Sequence, residues 1–409
     1  MISTRAVLTI LAALIPTLAH ANDADCDKLI RDGQYLHAMD CIGTGKGIIT
    51  AHNRSIILSF LGREREAQQF FSKEDNDSFV IGRNPGLSAE KINDTHTYQQ
   101  RAAIPALTAL AAPYQVVMLN EAHHISQHRI FALQLAKALR ERGFTHLAVE
   151  TLANAEETQK QGYPSLKSPT SGNYTADPEF AFFLREAISL GYQLVSYESY
   201  GNQGIADREK GQASNLKKLM DREPNAKVLV YAGYAHIRKF HTGPGPKWMA
   251  EVFKELTGID PLTIDQEGGT PNPYDKLTDK TWMAVKDQLQ GEPSVFVKNG
   301  SEWLVSKSYQ SLADISVFHP ETKLVDGRPD WLAKNRTKHI VKTGKIGTGE
   351  QIVIRAMVKG EQNGIPVDQV LVDGNAEEAI LFLPKGSYQI EKETLPDGIV
   401  KLYELSIGQ

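Results

Sequence analysis

Cysteine is nearly absent from this chain of 409 residues: there are two, Cys26 and Cys41. The pair lacks the further cysteines and the close spacing of a metal or redox motif. Charge of one sign is also missing. The formal balance is −4, with no basic stripe and no alternation of basic and aromatic residues, so nothing points to nucleic acid. There is no low-complexity run. No apolar segment is long enough to cross a bilayer, the run from Ala6 to Leu18 included. What remains is an ordinary globular composition, 41% hydrophobic and 23% charged, long enough for two or three domains.

The N-terminus reads as a processing signal. Arg5 precedes an apolar run from Ala6 to Leu18, and Ala19-His20-Ala21 follows as a small-x-small cleavage site. Residues 1–21 are therefore expected to be a secretory signal peptide, and the protein to be periplasmic or secreted without a remaining membrane span. Asp23-Ala24-Asp25 before Cys26 is not a lipobox. In an oxidising compartment the default is a disulfide between Cys26 and Cys41.

Residues 22–75 carry apolar positions at helical spacing around Leu61-Gly62-Arg63, with Ala67 and Phe71 on the second helix. They resemble a tetratricopeptide-like hairpin and are expected to form a helical module, a candidate surface for a protein partner. Gly43-Thr44-Gly45-Lys46-Gly47 mimics a phosphate loop, but it lacks the spacing and the preceding strand. Residues 76–113 read as a helical linker. From 114 to 316, buried apolar strands (QVVML, THLAVE, QLVSYE, KVLVYAG, PLTID) alternate with helices. That pattern predicts an α/β fold, a mainly parallel sheet with helices on both faces. The Gly/Pro/Ser-rich stretch Ala153–Ala176 breaks the alternation and reads as a long loop over the sheet edge, a lid or a linker. SVFVK and EWLVSKSYQ flank Asn299-Gly300 as a hairpin that would extend the sheet. Residues 317–346 read as an irregular connector. Residues 347–409 read as a small antiparallel β domain with turns at Asp373-Gly374 and Asp397-Gly398.

Four of the parallel strands end in polar groups capable of chemistry. The first runs into Asn120-Glu121-Ala122-His123-His124, the second ends at Glu150, the third at Glu198, and the fourth runs through Gly233 to His236. Carboxyl ends of parallel strands line one edge, where open α/β sheets bind ligands. Carboxylates and imidazoles gathered there support two chemistries. One holds a divalent metal with an open position for water, with His123, His236 and Glu121 as candidate ligands. The other is metal-free, a Glu–His pair activating water directly. Adjacent side chains diverge, so one of His123 and His124 is expected to face the cleft, while His128 either reaches back from the helix start or lies idle.

The motifs LNEAHH, AVE, DREKGQASNL and VYAGYAHI occur in that order at these strand ends. Together they resemble the superfamily that joins erythromycin esterases, ChaN-like haem-binding proteins and the TraB/TIKI proteases. The resemblance covers about residues 114–265. It implies Glu121, His123 or His124, Glu150, Arg208 and His236 as the functional residues; Arg208 would hold a substrate carboxylate or a cleft Glu, and Glu198, from the strand-end reading, joins it as a substrate-binding candidate. His123 suits the ChaN and protease pattern, and His124 the esterase pattern. Asn120 stands where those families usually have Gly, and Gly233 where the esterases often have His. The expectation is an exported hydrolase of ester or peptide bonds acting on a small molecule or peptide; a haem- or iron-binding protein without catalysis is the alternative.

Overall fold

The computed structural model describes residues 21–43, 48–74, 95–167, 170–201, 204–241, 245–374 and 376–408. The expected signal peptide lies outside them apart from Ala21, as do positions 44–47 of the Gly43–Gly47 run and 76–94 of the expected linker.

Four helices come first: α1 (Ala21–Arg31), α2 (Tyr35–Ile42), α3 (Ile48–Phe60) and α4 (Glu64–Glu74). A disulfide between Cys26 and Cys41 staples α1 to α2, with Cα atoms 5.6 Å apart. The expected linker then contributes structure to the main body. β1 (Gln99–Ala102) is a strand, and α5 (Ala103–Leu110) buries Ala103 and Leu107 in the central core. The α/β body follows as β2 (Val116–Glu121), α6 (Gln127–Arg140), β3 (His146–Val149), α7 (Ala155–Gln161), α8 (Pro178–Ser189), β4 (Gln193–Ser196), α9 (Ile205–Arg222), β5 (Val228–Gly233), α10 (Met249–Thr257) and β6 (Leu262–Asp265). After α11 (Lys280–Val285) come β7 (Ser294–Lys298), β8 (Glu302–Trp303) and β9 (Ile315–Ser316).

Six strands form a parallel sheet in the order β4-β3-β5-β2-β6-β9. Period-two alternation along β2 and β5 divides their side chains between two cores. Val117, Leu119, Leu229 and Tyr231 pack with α5, α6 and α8, whereas Val116, Met118, Val228 and Val230 pack with α9 and α10. The chain leaves β2 on the α6 face toward β3, and leaves β5 on the α10 face toward β6. Adjacent strands whose outgoing connections diverge open a crevice at their carboxyl ends. The hairpin β7–β8 does form, but it pairs with β1 as a separate antiparallel sheet. The sixth parallel strand is β9, two residues too short to carry a periodic signal.

The remaining elements are β10 (Leu324–Val325), β11 (Arg328–Pro329), α12 (Asp330–Ala333), β12 (Thr337–Lys342), β13 (Gln351–Val358), β14 (Asp368–Asp373), β15 (Glu378–Leu383), β16 (Gly386–Thr394) and β17 (Gly398–Ile407). The C-terminal region is antiparallel, order β14-β13-β16-β17, and the expected connector supplies β12 as partner to β15. The helical module is docked on this region. Glu393 Oε1 accepts from the backbone N–H groups of Leu36 and His37 at 3.1 and 3.2 Å, Gln369 donates to the Phe60 carbonyl at 2.9 Å, and Leu371 donates to the Leu61 carbonyl. Val353, Ile365 and Leu371 complete the module's core.

The disulfide closes a loop with a sequence separation of 15. Replacing both cysteines by serine is expected to lower the module's stability by about 2–4 kcal/mol through the freed chain entropy. Denaturant titrations of wild type and double mutant, followed by circular dichroism, would read this directly; coincident midpoints would contradict it.

Candidate functional site

Two carboxylate–imidazole pairs reach the crevice from opposite faces of the sheet. Glu121 ends β2 on the same face as Val117 and Leu119, beneath α6 and α8. Its Oε1 lies 2.7 Å from His123 Nδ1, and its Oε2 accepts from Arg129 Nε at 2.9 Å and from the Tyr231 hydroxyl at 2.7 Å. Arg129 of α6 has no solvent exposure. Its Nη1 is 2.8 Å from Asp177 Oδ2, and its Nη2 donates to the His123 carbonyl at 2.7 Å. Asp177 in turn caps α8, accepting from the N–H groups of Glu179 and Phe180 with Pro178 at the first helical position. Burial alone would raise the Glu121 pKa, but Arg129 and His123 outweigh it and hold the carboxyl at about 2. His123 Nδ1 is therefore fixed by an ionised acceptor, and Nε2 carries no hydrogen bond to any described residue.

The second pair belongs to the other face. Glu150 follows β3, and His236 lies in the single-turn helix Tyr234–Ile237 after β5. Glu150 Oε2 accepts from Gly233 N, and its Oε1 accepts from Arg208 Nη2 at 2.8 Å. Arg208, in the first turn of α9, also grips Glu198: Nε to Oε1 at 3.1 Å and Nη2 to Oε2 at 2.6 Å. His236 Nδ1 is 2.8 Å from Glu209 Oε2, while Nε2 is 3.3 Å from Glu150 Oε1 and 3.1 Å from Arg208 Nη1. A neutral ring would accept from Arg208 at Nε2. Burial favours that form, but the carboxylates of Glu209 and Glu150 outweigh it and push His236 up to about 10. We take the imidazolium as the resting form, because Glu198 already neutralises Arg208.

Gly233 is where the two pairs meet. A Cβ there would stand 2.4 Å from His123 Cε1, 2.5 Å from His123 Nε2 and 3.0 Å from Glu150 Oε2. Only a residue without a side chain admits the imidazole from one face and the carboxylate from the other. The next residue, Tyr234, holds φ at 42°, a sparsely populated conformation for a bulky residue that aims its hydroxyl at His123 N and His124 Nδ1, 3.3 and 3.4 Å away. Asn120 supports that turn by donating to the Tyr234 carbonyl at 3.2 Å and to Asp265 at 3.1 Å, work that a glycine at this position could not do.

The structure thus brings Glu121, His123, Glu150, Glu198, Arg208 and His236 into one cluster and separates two other candidates from it. His124 stacks on Phe71 with ring centroids 4.0 Å apart, and burial beside His52 and His123 keeps it well below the ordinary histidine range. His128 spends Nδ1 on Ala122 N and Nε2 on Thr270 Oγ1, so it holds the turn after β2 and offers no axial position to a haem. The expected metal set of His123, His236 and Glu121 does not assemble. Glu121 is saturated by Arg129, His123 and Tyr231, His236 is held between Glu209 and Glu150, and among the described residues no three His, Cys, Asp or Glu side chains converge on a metal position. As members of the site, Glu209, Arg129, Asp177 and Tyr231 escaped sequence reading. Glu209 had a signal, since it directly follows Arg208 in the DREKG motif; the others are joined to the site only by tertiary packing.

No family model matches this chain, and no curated protein does. Among solved structures, the type III effector HopBA1 matches 45% of this chain and 94% of its own at 17% identity and a TM-score of 0.30. RRSP, a MARTX toxin effector domain from Vibrio vulnificus, matches at 15% identity, 51% of this chain, 45% of its own and a TM-score of 0.29. The C-terminal region of Pasteurella multocida toxin, described with a thiol-protease-like catalytic triad, matches at 10% identity, 95% of this chain, 61% of that chain and a TM-score of 0.32. Likenesses this low carry neither fold nor chemistry.

Gly233→Ala should displace His123 or Glu150 and cost about 1–3 kcal/mol by overpacking; an unchanged melting temperature would refute the close approach. The pH profile of stability follows from the two shifted groups. Glu121 is depressed from 4.5 to about 2, so its contribution is present above pH 4.5 and is lost as pH falls toward 2. His236 is raised from 6.5 to about 10, so its contribution is present below pH 6.5 and is lost as pH rises through 10. Denaturation midpoints measured across pH should plateau between the two limbs, and Glu209→Gln should weaken the alkaline one.

Proposed function

We propose that this chain is an exported hydrolase of the erythromycin esterase, ChaN and TIKI type, cleaving an ester or peptide bond by metal-free activation of water. The observation that carries this reading is the His123 ring: Nδ1 is 2.7 Å from an ionised Glu121 and Nε2 is turned to the space over Gly233. An acceptor on Nδ1 fixes the tautomer with the proton there, which leaves Nε2 unprotonated and able to act as base.

In the reaction, a water beside Nε2 gives its proton to His123 as its oxygen bonds to the substrate carbonyl carbon. The carbonyl π electrons move onto oxygen. Across the cleft, Arg208 Nη1 and the His236 imidazolium Nε2, 3.1 Å apart, are two donors that cannot bond to each other. Both side chains already lie beside Glu150 Oε1, and as cationic donors at the cleft they would stabilise the charge on the new oxyanion. Collapse returns the electron pair to the carbonyl, the bond to the leaving group breaks, and His123 delivers its proton to that group. Glu150 and Glu198 hold Arg208 in place, and Glu209 keeps His236 charged. A cysteine nucleophile is ruled out, because both cysteines of the chain are joined in the disulfide.

His123→Ala is expected to lower kcat on a responsive ester by about 10²–10⁴-fold. His124→Ala should leave kcat within a few-fold of wild type. A panel of aryl and alkyl esters and short peptides, assayed with both variants and with added chelator, would test this. Equal activity of wild type and His123→Ala would remove His123 as base, and haem titration with a Soret band dependent on His123 would favour the binding reading instead.

A further inference from the structure

Within the cluster that would carry this chemistry His123 is 5% exposed, Glu150 6% and His236 2%, while the Arg208 side chain keeps 20% exposure. Its cover is aromatic and comes from outside the sheet. Tyr174, in the crossover between β3 and α8, stacks on His123 with centroids 3.8 Å apart and planes 18° apart. Phe71 of α4 stacks on His124 at 4.0 Å and 21°. His52 of α3 meets His123 edge-on at 6.4 Å and tilts against Phe71 at 6.0 Å. The doubled histidine thus has a division of labour: His123 faces Glu121, and His124 faces the helical module.

The module is fastened unequally on its two sides. Toward the C-terminal sheet it is held by the buried Glu393 on two backbone N–H groups, by Gln369 and Leu371 on the ends of α3, and by Arg63 on Asp373 at 2.5 Å. Toward the cleft, among the described residues, α4 stacks Phe71 on His124, and Ser72 Oγ accepts a neutral hydrogen bond from Asn272 Nδ2 at 2.7 Å. Tyr35 of α2 also donates to the Ala176 carbonyl at 2.9 Å, so the module touches the same turn that carries Tyr174. Charge-assisted bonds with buried partners are stronger than neutral ones, so the cleft side is the weaker attachment. A substrate carbonyl must come within about 3–3.5 Å of the base, which the present packing does not allow.

We propose that the α3–α4 pair is a hinged roof over the cleft, latched by the Phe71–His124 stack, and that substrate reaches His123 when α4 lifts from the sheet edge. The proposal rests on the hydrolase reading only for its turnover arm. Lids that close a site from water and reopen for product are a common way to set turnover. Here the lid is the α3–α4 half of the N-terminal module.

A locked roof tests this. Ser72→Cys with Asn272→Cys places two thiols where side chains already touch, while both native cysteines are paired. Two rates are read: acylation of His123 by diethyl pyrocarbonate, followed by peptide mass spectrometry without any substrate, and ester hydrolysis. Oxidation of the pair should slow His123 acylation by about tenfold, as expected when access requires local opening. Mild reductant should restore it, with wild type given the same reductant as the control for Cys26–Cys41. Phe71→Ala should speed acylation several-fold, and Phe71→Leu, which keeps the packing volume, should do so less. Acylation that is equally fast in wild type, the oxidised pair and Phe71→Ala would overturn the roof. Acylation that follows the lock, with no ester or peptide cleaved by any form, would uphold the roof and defeat the hydrolase reading.

Discussion

A guanidinium without solvent holds this site together. Arg129 is taken from water entirely, and its burial is compensated by the carboxylates of Glu121 and Asp177 and by the His123 carbonyl. Removing one partner of such a network leaves an uncompensated buried charge, a loss of several kcal/mol. The geometry matters more than the energy. One side chain on α6 fixes the end of β2, the cap of α8 and the backbone of the putting-forward turn at His123. The carboxylate it ionises then sets the tautomer of the imidazole. Fold and chemistry share the same charge.

The opposite face of the sheet repeats the device with different parts. Arg208 and Glu209 are adjacent on α9, yet they act on different groups: Arg208 grips Glu150 and Glu198, while Glu209 holds His236. One imidazole is left with a nitrogen able to accept a proton, and the other is flanked by carboxylates and stays charged. The division depends on Gly233, because any side chain there would occupy the space in which the two halves meet.

The flanking modules are more than attachments. The C-terminal sheet binds the helical module through Glu393, Gln369 and Leu371, and the module lays Phe71 and His52 over the histidines. The three regions form a stack in which the last part of the chain positions the first over the middle.

Much of this was legible in the residues alone. Apolar runs separated by amphipathic helices have only one economical arrangement, a parallel sheet covered on both faces, because buried strands must satisfy their backbone groups with one another. Polar groups directly after those runs then fall at one edge by necessity, so Glu121, Glu150, Glu198 and His236 could be named as one cluster. Local chemistry likewise made Asp373-Gly374 and Asp397-Gly398 turns. β9 and β12 were not legible, since two residues carry no period and an edge strand is recognised by its partner. Nor was the choice between His123 and His124, which differ by one position on a tight turn; the Tyr234 conformation and the Phe71 stack decide it. Sequence by itself determined which groups arrive at the edge, because strand direction and periodicity are local properties. Only the tertiary structure decided which face each group approaches from, which carboxylate each imidazole keeps, and what covers them, because those outcomes depend on contacts between separate elements, such as Tyr231 on Glu121 and Phe71 on His124.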